Sequence, residues 1–415
     1  MSAPFFTIAI PTKNRPLHLR DAVQSVLAQT FRDFEVVVCD NSDAGEADET
    51  AAVAAGFEDA RVRYVRTGGT LSMPDNWEHA VSAARGEFVS ILTDRSVLRR
   101  DALALVHERA ASTGLRLFGW FPDRFAPKRA GDPQSVFTRR LCSLQEYRFE
   151  SRRVLAYYLN GQPKFGSKVL PKLMTSACHR SVIDTVRASA IGRICPPVCP
   201  DYTSGFLMLA HTDEFLLIDD GLFVSCGVGN GASFRRRGVL ADRFMRDLGL
   251  SWKQLVEFMP TEACFTHALV LNDYERVARA LPDRFAGLAL NRAQYYVGCL
   301  GDYQRAARLG SDRWEDLDAL TDGLALERDD VRVFVQSTQL YLQGISALPV
   351  SRARGELAEV EGGDSGPARE FATVFDALAW SETHPRQPSP RHTLTMPPLD
   401  ALKQWDAPSR GGAVA

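Results

Sequence analysis

Short apolar runs alternate with amphipathic stretches along the first part of the chain. Phe5–Ile10 and Phe34–Cys39 are rich in β-branched and aromatic residues, which is typical of strands buried on both faces of a parallel sheet. From Leu19 onward, apolar residues recur at the three- and four-residue spacing of an amphipathic helix. Arg61–Val65 alternates as a third strand, and Phe88–Leu92 is a further buried run. The pattern predicts an α/β fold with a mostly parallel sheet flanked by helices.

The pattern changes further along the chain. Phe215–Ile218 and Leu222–Ser225 are two short apolar runs that predict a hairpin. From about Leu240 the segments are long, rich in Ala, Leu and Arg, and patterned as helices, and from Thr383 proline and polar residues dominate. The chain is therefore divided into an α/β domain up to residue 239, a helical C-terminal domain, residues 240–382, and a Pro-rich, poorly ordered tail, residues 383–415.

Composition narrows the class of protein. The chain has 415 residues, of which 45% are hydrophobic and 24% charged, as in ordinary globular proteins with more than one core. A net charge of −2 gives no indication of nucleic acid binding. No apolar run approaches the roughly 18 residues of a membrane span, and no basic segment precedes an apolar one at the N-terminus. We expect a cytoplasmic protein with reduced cysteines, which leaves peripheral contact with a membrane surface open.

Chemistry-bearing residues follow the run Phe88–Leu92. Asp94 and Arg95 stand side by side after it, and ligands of open α/β sheets bind beyond the carboxyl ends of the strands. A carboxylate beside a guanidinium at such a point suggests a phosphate or a metal. The segment Pro11–Pro16, after the first strand, has neither the glycine fingerprint of a dehydrogenase nor a P-loop. Both of those classes are therefore disfavoured.

Five motifs occur in the order seen in family 2 glycosyltransferases, and the chain resembles that family through them: Phe6–Arg15, Val36–Ser42, Asp75–Glu78, Gly86–Phe88 and Leu92–Asp94. The resemblance is specific over residues 5–100, weaker to about residue 235, and absent beyond. It implies the GT-A fold, with residues 1–115 as the nucleotide-sugar-binding half and residues 116–239 as the acceptor-side half.

The resemblance also implies a site for the sugar donor. Asp40 matches the acid that hydrogen-bonds the base or ribose, and Asn76 lies in the segment that lines the base pocket. Each has an alternative, since Asp40 is suited to capping a turn and Asn76 to satisfying backbone N–H groups of a first helical turn. The complete set of residues assigned to the sugar donor is Pro11, Thr12, Asn14, Arg15, Asp40, Asn76, Asp94 and Arg95.

Asp94 matches the first acid of the family's metal-binding Asp-x-Asp signature, but the next two residues are Arg95 and Ser96. A hard cation prefers several oxygen ligands, so two interpretations stay open. Either Mg or Mn binds through Asp94, the diphosphate and water, or Arg95 supplies the positive charge toward phosphate. A third reading is that Arg95 pairs with Asp94 or a surface acid and contacts no ligand.

The catalytic base implied by the resemblance is Asp201. It follows a proline-rich loop and precedes an apolar helical stretch, as the family's base does on the acceptor side. The alternative is a plain helix N-cap, for which aspartate is a preferred residue. A second candidate region is Gly227–Arg237, where glycines permit close approach to phosphate and three arginines follow. The alternative for this segment is a solvated basic surface.

Taken together, these residues predict an inverting glycosyltransferase. The predicted co-substrate is a nucleotide-diphosphate sugar, and the acceptor is a hydroxyl of a glycan, a lipid-linked saccharide or a small molecule. The substituted metal signature supports an alternative of a different class, a catalytically silent protein that binds a nucleotide sugar. The sequence specifies neither the nucleotide base nor the oligomeric state.

Overall fold

The computed structural model describes residues 3–127, 135–159, 169–227, 246–259, 266–290 and 365–389, with the single residues 295, 299 and 394. The predicted parallel strands are present, namely β1 (Phe6–Thr12), β2 (Phe34–Asp40), β3 (Val62–Arg66) and β4 (Phe88–Ile91). They pair in the order β3-β2-β1-β4, all parallel. The helices that connect them are α1 (Pro16–Leu27), α2 (Ala44–Ala55) and α3 (Met73–Ser82).

The sheet continues past β4 as a mixed sheet. Its next elements are β5 (Ser96–Leu98), α4 (Ala102–Thr113), β6 (Leu117–Pro127), β7 (Ser135–Arg140), β8 (Glu146–Glu150), α5 (Ser151–Leu159), a 3-10 turn (Leu173–Thr175), β9 (Ser176–His179), α6 (Arg180–Ala188), α7 (Pro200–Ala210) and β10 (Glu214–Cys226). Strand β9 lies antiparallel between β4 and β6, which ends the run of parallel strands.

The predicted hairpin at residues 215–225 is wrong. Those residues form the single 13-residue strand β10, which pairs parallel with β6 and antiparallel with both β5 and β8. The pairing with β6 shifts register on either side of Gly221, so a bulge stands where a turn was expected.

Alternating side chains of the strands build two apolar cores, one on each face of the sheet. Ile8 and Ile10 of β1 pack with α1 and α4 on one face. Ala9 and Val89 pack with α3, α5, α6 and α7 on the other. Both faces of the central strands are covered, which is why those strands read as continuous apolar runs in the sequence. The expected fold, a mostly parallel sheet flanked by helices, is confirmed.

The C-terminal region contributes both helix and strand. Helices α8 (Trp252–Leu255) and α9 (Thr266–Ala280) agree with the expected helical character. Strand β11 (Ser365–Phe371) was not predicted, and it pairs antiparallel with β7 at the edge of the main sheet before helix α10 (Val374–Thr383) begins. An edge strand tolerates the Gly-Pro pair that weakens its pattern in the sequence.

The first residues of the Pro-rich tail dock on the sheet. Arg386 is largely buried between Asp123 and Asp220, and the amide of Ser389 donates to the carbonyl of Cys142. Among the residues described above, every cysteine is a free thiol and no helix is long and apolar enough to cross a membrane.

Candidate active site

The parallel register brings several predicted residues to one edge of the sheet. Thr12, the last residue of β1, lies opposite Asp40, the last residue of β2. The amide of Leu92 donates to the carbonyl of Ala9, which carries β4 past its last paired residue toward Asp94. Three strands thus deliver a hydroxyl and two carboxylates to the same carboxyl edge, where α/β proteins bind ligands.

Asp94 is held by two other predicted residues. Its side chain is only 5% exposed, and its Oδ2 accepts a hydrogen bond of 3.0 Å from the Thr12 hydroxyl. Its Oδ1 lies 3.3 Å from Nη1 of Arg15, whose side chain is 40% exposed. A buried carboxylate with one hydroxyl and one solvent-accessible guanidinium is fixed in place while the positive charge still faces the solvent.

Arg95 is anchored through its backbone. Its carbonyl accepts a hydrogen bond of 2.8 Å from the amide of Cys226 at the end of β10. Burial lowers the pKa of the Arg95 guanidinium from its ordinary value, and the nearby charge of Arg15 acts in the same direction. An arginine remains cationic under such a shift, so Arg15 and Arg95 place two positive charges beside Asp94.

Asp40 has no exposed surface and holds three hydrogen-bond donors. Its Oδ1 accepts from the Ser42 amide at 2.8 Å, so the predicted turn cap is present. Its Oδ2 accepts from the Tyr64 hydroxyl at 2.7 Å and from Nη1 of Arg66 at 3.0 Å. Burial, followed by the bond to Asp40, raises the pKa of Tyr64 to about 12. The sequence analysis missed Tyr64, which lies on the predicted strand Arg61–Val65, and Arg66, which ends the observed strand β3.

Asn76 and Asn14 connect elements at the same edge. Asn76 is buried, and its Nδ2 donates to the carbonyl of Thr12 at 3.4 Å, while Oδ1 accepts from the Cys39 thiol at 3.3 Å. It therefore ties α3 to β1 and β2, and Ser72 caps the helix instead. Asn14 adopts a φ of 56°, and its backbone amide donates to the Ser42 hydroxyl at 2.8 Å.

The remaining assigned residue of this edge, Pro11, is buried in β1 opposite Cys39. It brings no polar side chain to the site.

Asp201 lies in the first turn of α7. The helix begins at Pro200, and its N-cap is Cys199, which makes no side-chain capping bond, so the prediction that Asp201 is a plain N-cap is wrong. Its side chain is 28% exposed, with Oδ2 3.5 Å from Nζ of Lys172. A carboxylate in a first turn is favoured by the partial positive charge of the helix N-terminus. Asp201 is thus accessible and available for proton transfer.

Lys172 is a residue that the sequence analysis did not identify. Its ammonium lies 3.5 Å from Asp201 and 3.2 Å from the ring centroid of Tyr202. Burial alone would lower the pKa of Lys172, but Tyr202 and Asp201 outweigh burial and raise it. Lys172 directly precedes the 3-10 turn that packs against both β4 and α7. No local pattern identifies it, since its partners come from a helix 29 residues further on.

Helix α3 connects the two sides of the site. Glu78 accepts from Arg187 at 2.6 Å and, through its other oxygen, from the amides of Ile194 and Cys195, both at 2.8 Å. A second pair joins Asp75 to Nη2 of Arg193 at 2.7 Å. These bonds attach the segment that leads to the proline-rich loop before Asp201 to the helix that carries Asn76.

The candidate loop Gly227–Arg237 lies outside the described residues, apart from Gly227 itself.

The comparison with protein families concerns the first part of the chain. Residues 7–157 match the model of Glycosyl transferase family 2. This part of the chain is therefore similar to that family. The five motifs that carry the resemblance begin at the first strand and end at Asp94, so they lie almost entirely within the matched family 2 stretch.

Two curated relatives are similar to the chain over a limited length. One is "GalNAc(5)-diNAcBac-PP-undecaprenol beta-1,3-glucosyltransferase" of Campylobacter jejuni, 30% identical over 119 residues, 28% of this chain and 38% of that protein. The other is the "Succinoglycan biosynthesis protein ExoO" of Rhizobium meliloti, 30% identical over 114 residues, 28% of this chain and 32% of that protein. The similar stretch spans about a third of each relative.

Solved structures are more distant. S. aureus TarS 1–349 in complex with UDP-GlcNAc is 13% identical, with a TM-score of 0.44 and 92% of each chain covered. The mannosyltransferase PcManGT from Pyrobaculum calidifontis, in complex with GDP-Man and Mn2+, is 16% identical, with a TM-score of 0.37 and 83% and 86% of the two chains covered.

The residues around Asp94 are a poor fit for a metal held by protein ligands alone. No group of three His, Cys, Asp or Glu side chains that could hold a metal occurs in the part of the chain that the structure describes. Each oxygen of Asp94 already accepts one hydrogen bond, from Thr12 and from Arg15. The donor set around Asp94 fits only a cation whose other ligands come from the diphosphate and water.

Proposed function

We propose that the chain is an inverting glycosyltransferase that moves a sugar from a nucleoside-diphosphate sugar to a hydroxyl group. The observation that carries this proposal is the meeting of Thr12, Asp40 and Asp94 at the carboxyl edge of the sheet, within the stretch that matches the family 2 model. The proposed acceptor is a glycan, a lipid-linked saccharide or a small molecule. The printed activity of the Campylobacter relative, on an undecaprenol-linked saccharide, supports the lipid-linked class. Such an acceptor would place the protein at the cytoplasmic face of a membrane.

The sugar donor occupies the edge formed by the predicted residues. Pro11, Asn14 and Asn76 shape the pocket and hold β1, β2 and α3 together there. Asp40 acts on the nucleotide indirectly, through the hydrogen-bonded pair that its carboxylate forms with the Tyr64 hydroxyl.

The negative charge of the leaving diphosphate needs positive partners. The guanidinium groups of Arg15 and Arg95, which both interact with Asp94, supply them. Where a divalent cation takes part, Asp94 is its protein ligand, and the cation offsets charge on the leaving diphosphate.

Asp201 is the proposed general base. Its carboxylate takes the proton of the acceptor hydroxyl while that oxygen bonds to the anomeric carbon from the face opposite the diphosphate. The bond between the anomeric carbon and the phosphate oxygen breaks, and the nucleoside diphosphate leaves with the bonding electrons. Lys172, whose ammonium lies 3.5 Å from Oδ2 of Asp201, orients this carboxylate by direct contact.

A nucleotide-release screen tests the proposal. The purified chain is incubated with UDP-, GDP- and dTDP-sugars, with water or a candidate saccharide as acceptor, with and without a chelator. Asp201→Asn should lower turnover by about 10²–10⁴-fold without changing nucleotide affinity. Asp184→Asn is the matched control, because Asp184 is an exposed carboxylate on the neighbouring helix α6 and should leave turnover unchanged.

The arms with chelator separate the two sources of positive charge. Turnover that survives the chelator and is lost in Arg95→Ala assigns the counter-charge to Arg95. Turnover that the chelator abolishes and that Mg²⁺ or Mn²⁺ restores assigns it to a cation at Asp94.

One observation favours a second function. The family signature is reduced here to the single carboxylate of Asp94, as expected for a silent protein that only binds a nucleotide sugar. Saturable nucleotide binding with no release from any sugar donor would support that reading and contradict the transferase.

A further inference from the structure

The loop before Asp201 is held by a residue from the C-terminal region. Asp273 of α9 is fully buried, and one of its oxygens, Oδ2, accepts three hydrogen bonds. The donors are the amide of Val198 at 2.7 Å, the amide of Cys199 at 2.8 Å and the hydroxyl of Thr203 at 2.9 Å. All three belong to the proline-rich loop or to the first turns of α7.

This loop has few other ways to be fixed. From Pro196 to Pro200 only Val198 and Cys199 carry a backbone N–H, and both donate to the same oxygen of Asp273. The start of an α-helix leaves N–H groups without partners, and here the N-cap Cys199 contributes no side-chain acceptor. A carboxylate from another helix therefore does what a Ser or Asp N-cap does elsewhere.

We propose that Asp273 is a positioning residue for the reaction, which sets the place of Asp201 by fixing the loop and the first turn from which Asp201 projects. The inference rests on the proposed function, since it assumes that Asp201 is the base. The proposal gives the C-terminal helical region a part in the reaction. Helix α9 supplies the hydrogen-bond acceptor that fixes α7, the helix that carries Asp201.

The geometry suggests a variant that removes the negative charge of Asp273 but keeps the hydrogen bonds that hold the loop. The second oxygen, Oδ1, has no hydrogen-bond partner among the residues that the structure describes. In Asp273→Asn the amide oxygen can take the place of Oδ2 and keep the three bonds, while the amide nitrogen takes the place of Oδ1. Asp273→Ala removes all three bonds.

Asn272 provides a matched control on the same helix. It is also fully buried, and its Oδ1 accepts from the amide of Phe258 at 2.8 Å, away from the proline-rich loop. Asn272→Ala therefore removes a buried acceptor of α9 without touching the segment that carries Asp201.

The test combines hydrogen exchange with steady-state kinetics on the full chain. In Asp273→Ala, we expect amide exchange in peptides covering residues 194–206 to accelerate about tenfold or more. With a sugar donor found in the release screen, kcat should fall about 100-fold at unchanged KM for that donor, because a displaced base loses reactivity and not binding. Asp273→Asn should keep most of the exchange protection and most of kcat, and Asn272→Ala should change neither quantity.

Three results would overturn the inference. Unchanged exchange in Asp273→Ala would show that Asp273 does not fix the loop. Faster exchange with unchanged kcat would show that the place of the loop does not matter to the reaction. An equal fall of kcat in Asn272→Ala would reduce the effect to general stability. If Asp273→Ala does not fold, Thr203→Val, which removes one of the three bonds, should give smaller changes in the same direction. The absence of any change in Thr203→Val would refute the proposal.

Failure of the proposed function gives a different result. If Asp201→Asn were as active as the wild type, Asp201 would not be the base, and Asp273 could not act by positioning it. Amide hydrogen exchange in Asp273→Ala would still report whether Asp273 holds the loop.

Discussion

Arg386 offers a test of how the C-terminal tail is held on the sheet. Its Nη2 lies 2.6 Å from Oδ2 of Asp123, and its Nε lies 2.9 Å from Oδ1 of Asp220. Its Nη1 also donates to the carbonyl of Arg140. Arg386→Met keeps the length of the apolar stem and removes every one of these interactions.

The loss of stability follows from what remains after the substitution. The side chains of Arg386 and Asp123 are 11% and 6% exposed, so water compensates Asp123 poorly once the guanidinium is gone. Asp220 keeps a second partner, Arg99, at 2.6 Å. Breaking a buried pair costs about 3–5 kcal/mol, and because only one of the two carboxylates is stranded we expect about 3 kcal/mol.

Chemical denaturation followed by tryptophan fluorescence measures this value as a lower midpoint. Arg148→Met is the control, since its pair with Glu214 is exposed on both sides and should contribute little to stability. Adding Asp123→Asn to Arg386→Met should restore part of the stability, because the stranded charge is then absent. A loss below about 1 kcal/mol in Arg386→Met, or a double variant that is less stable than the single one, would refute the reasoning.

The pH dependence provides a second check on the same variant. Burial raises the pKa of Asp123 above its ordinary value of 3.8 even with Arg386 present. Without Arg386 the pKa of Asp123 in the folded state should rise further. The folded state then binds the proton more readily than the unfolded state, so the deficit of Arg386→Met should shrink as the pH falls from 7 toward the unfolded value. A deficit that grows over that range would contradict this assignment.

Two further predictions follow from close contacts. A Cβ on Gly86 would lie 2.5 Å from a backbone nitrogen of β1, so Gly86→Ala should cost about 1–3 kcal/mol in denaturation, whereas Gly45→Ala, with open space around it, should cost nothing measurable. Lys172→Met removes the ammonium that lies 3.5 Å from Asp201, so turnover should fall at unchanged nucleotide affinity; unchanged turnover would contradict the role of Lys172.

The central strands could be predicted because local pattern and tertiary environment agree there. β1, β2 and β4 are buried on both faces, so a continuous apolar run is sufficient evidence of the strand. Their polar ends mark the carboxyl edge, and the resemblance to family 2 glycosyltransferases assigned Thr12, Asp40 and Asp94 to one site there.

The middle of β10 could not be predicted, because its partners are distant. Asp219-Asp220-Gly221 has the composition of a turn. In the fold, Asp219 accepts from the amide and hydroxyl of Ser143, and Asp220 binds Arg99 and Arg386. These contacts satisfy the polar groups within a continuous strand and convert an expected turn into a bulge.

The residues around Asp201 show the same contrast between local signals, which the sequence reveals, and long-range contacts, which it does not. Asp201 was proposed through the family resemblance, with a local signal in support, namely a helix that begins after a proline-rich loop. Lys172 and Asp273 could not be found, since their contacts with that helix span 29 residues and up to 75 residues of sequence. Sequence patterns locate the chemistry of this site, and long-range packing determines how that chemistry is held.

The bonds of α3 to the segment before the proline-rich loop have an evolutionary consequence. Glu78 and Arg187 are 109 residues apart in sequence, and Asp75 and Arg193 are 118 apart, yet each pair is in direct contact. These side chains therefore help to fix the spacing between the two proposed parts of the site, whatever the length of the connecting chain. Insertions and deletions that leave both pairs in place are expected to keep the proposed base, Asp201, at its distance from the proposed donor site, so that acceptor preference can diverge while the proposed reaction geometry is conserved.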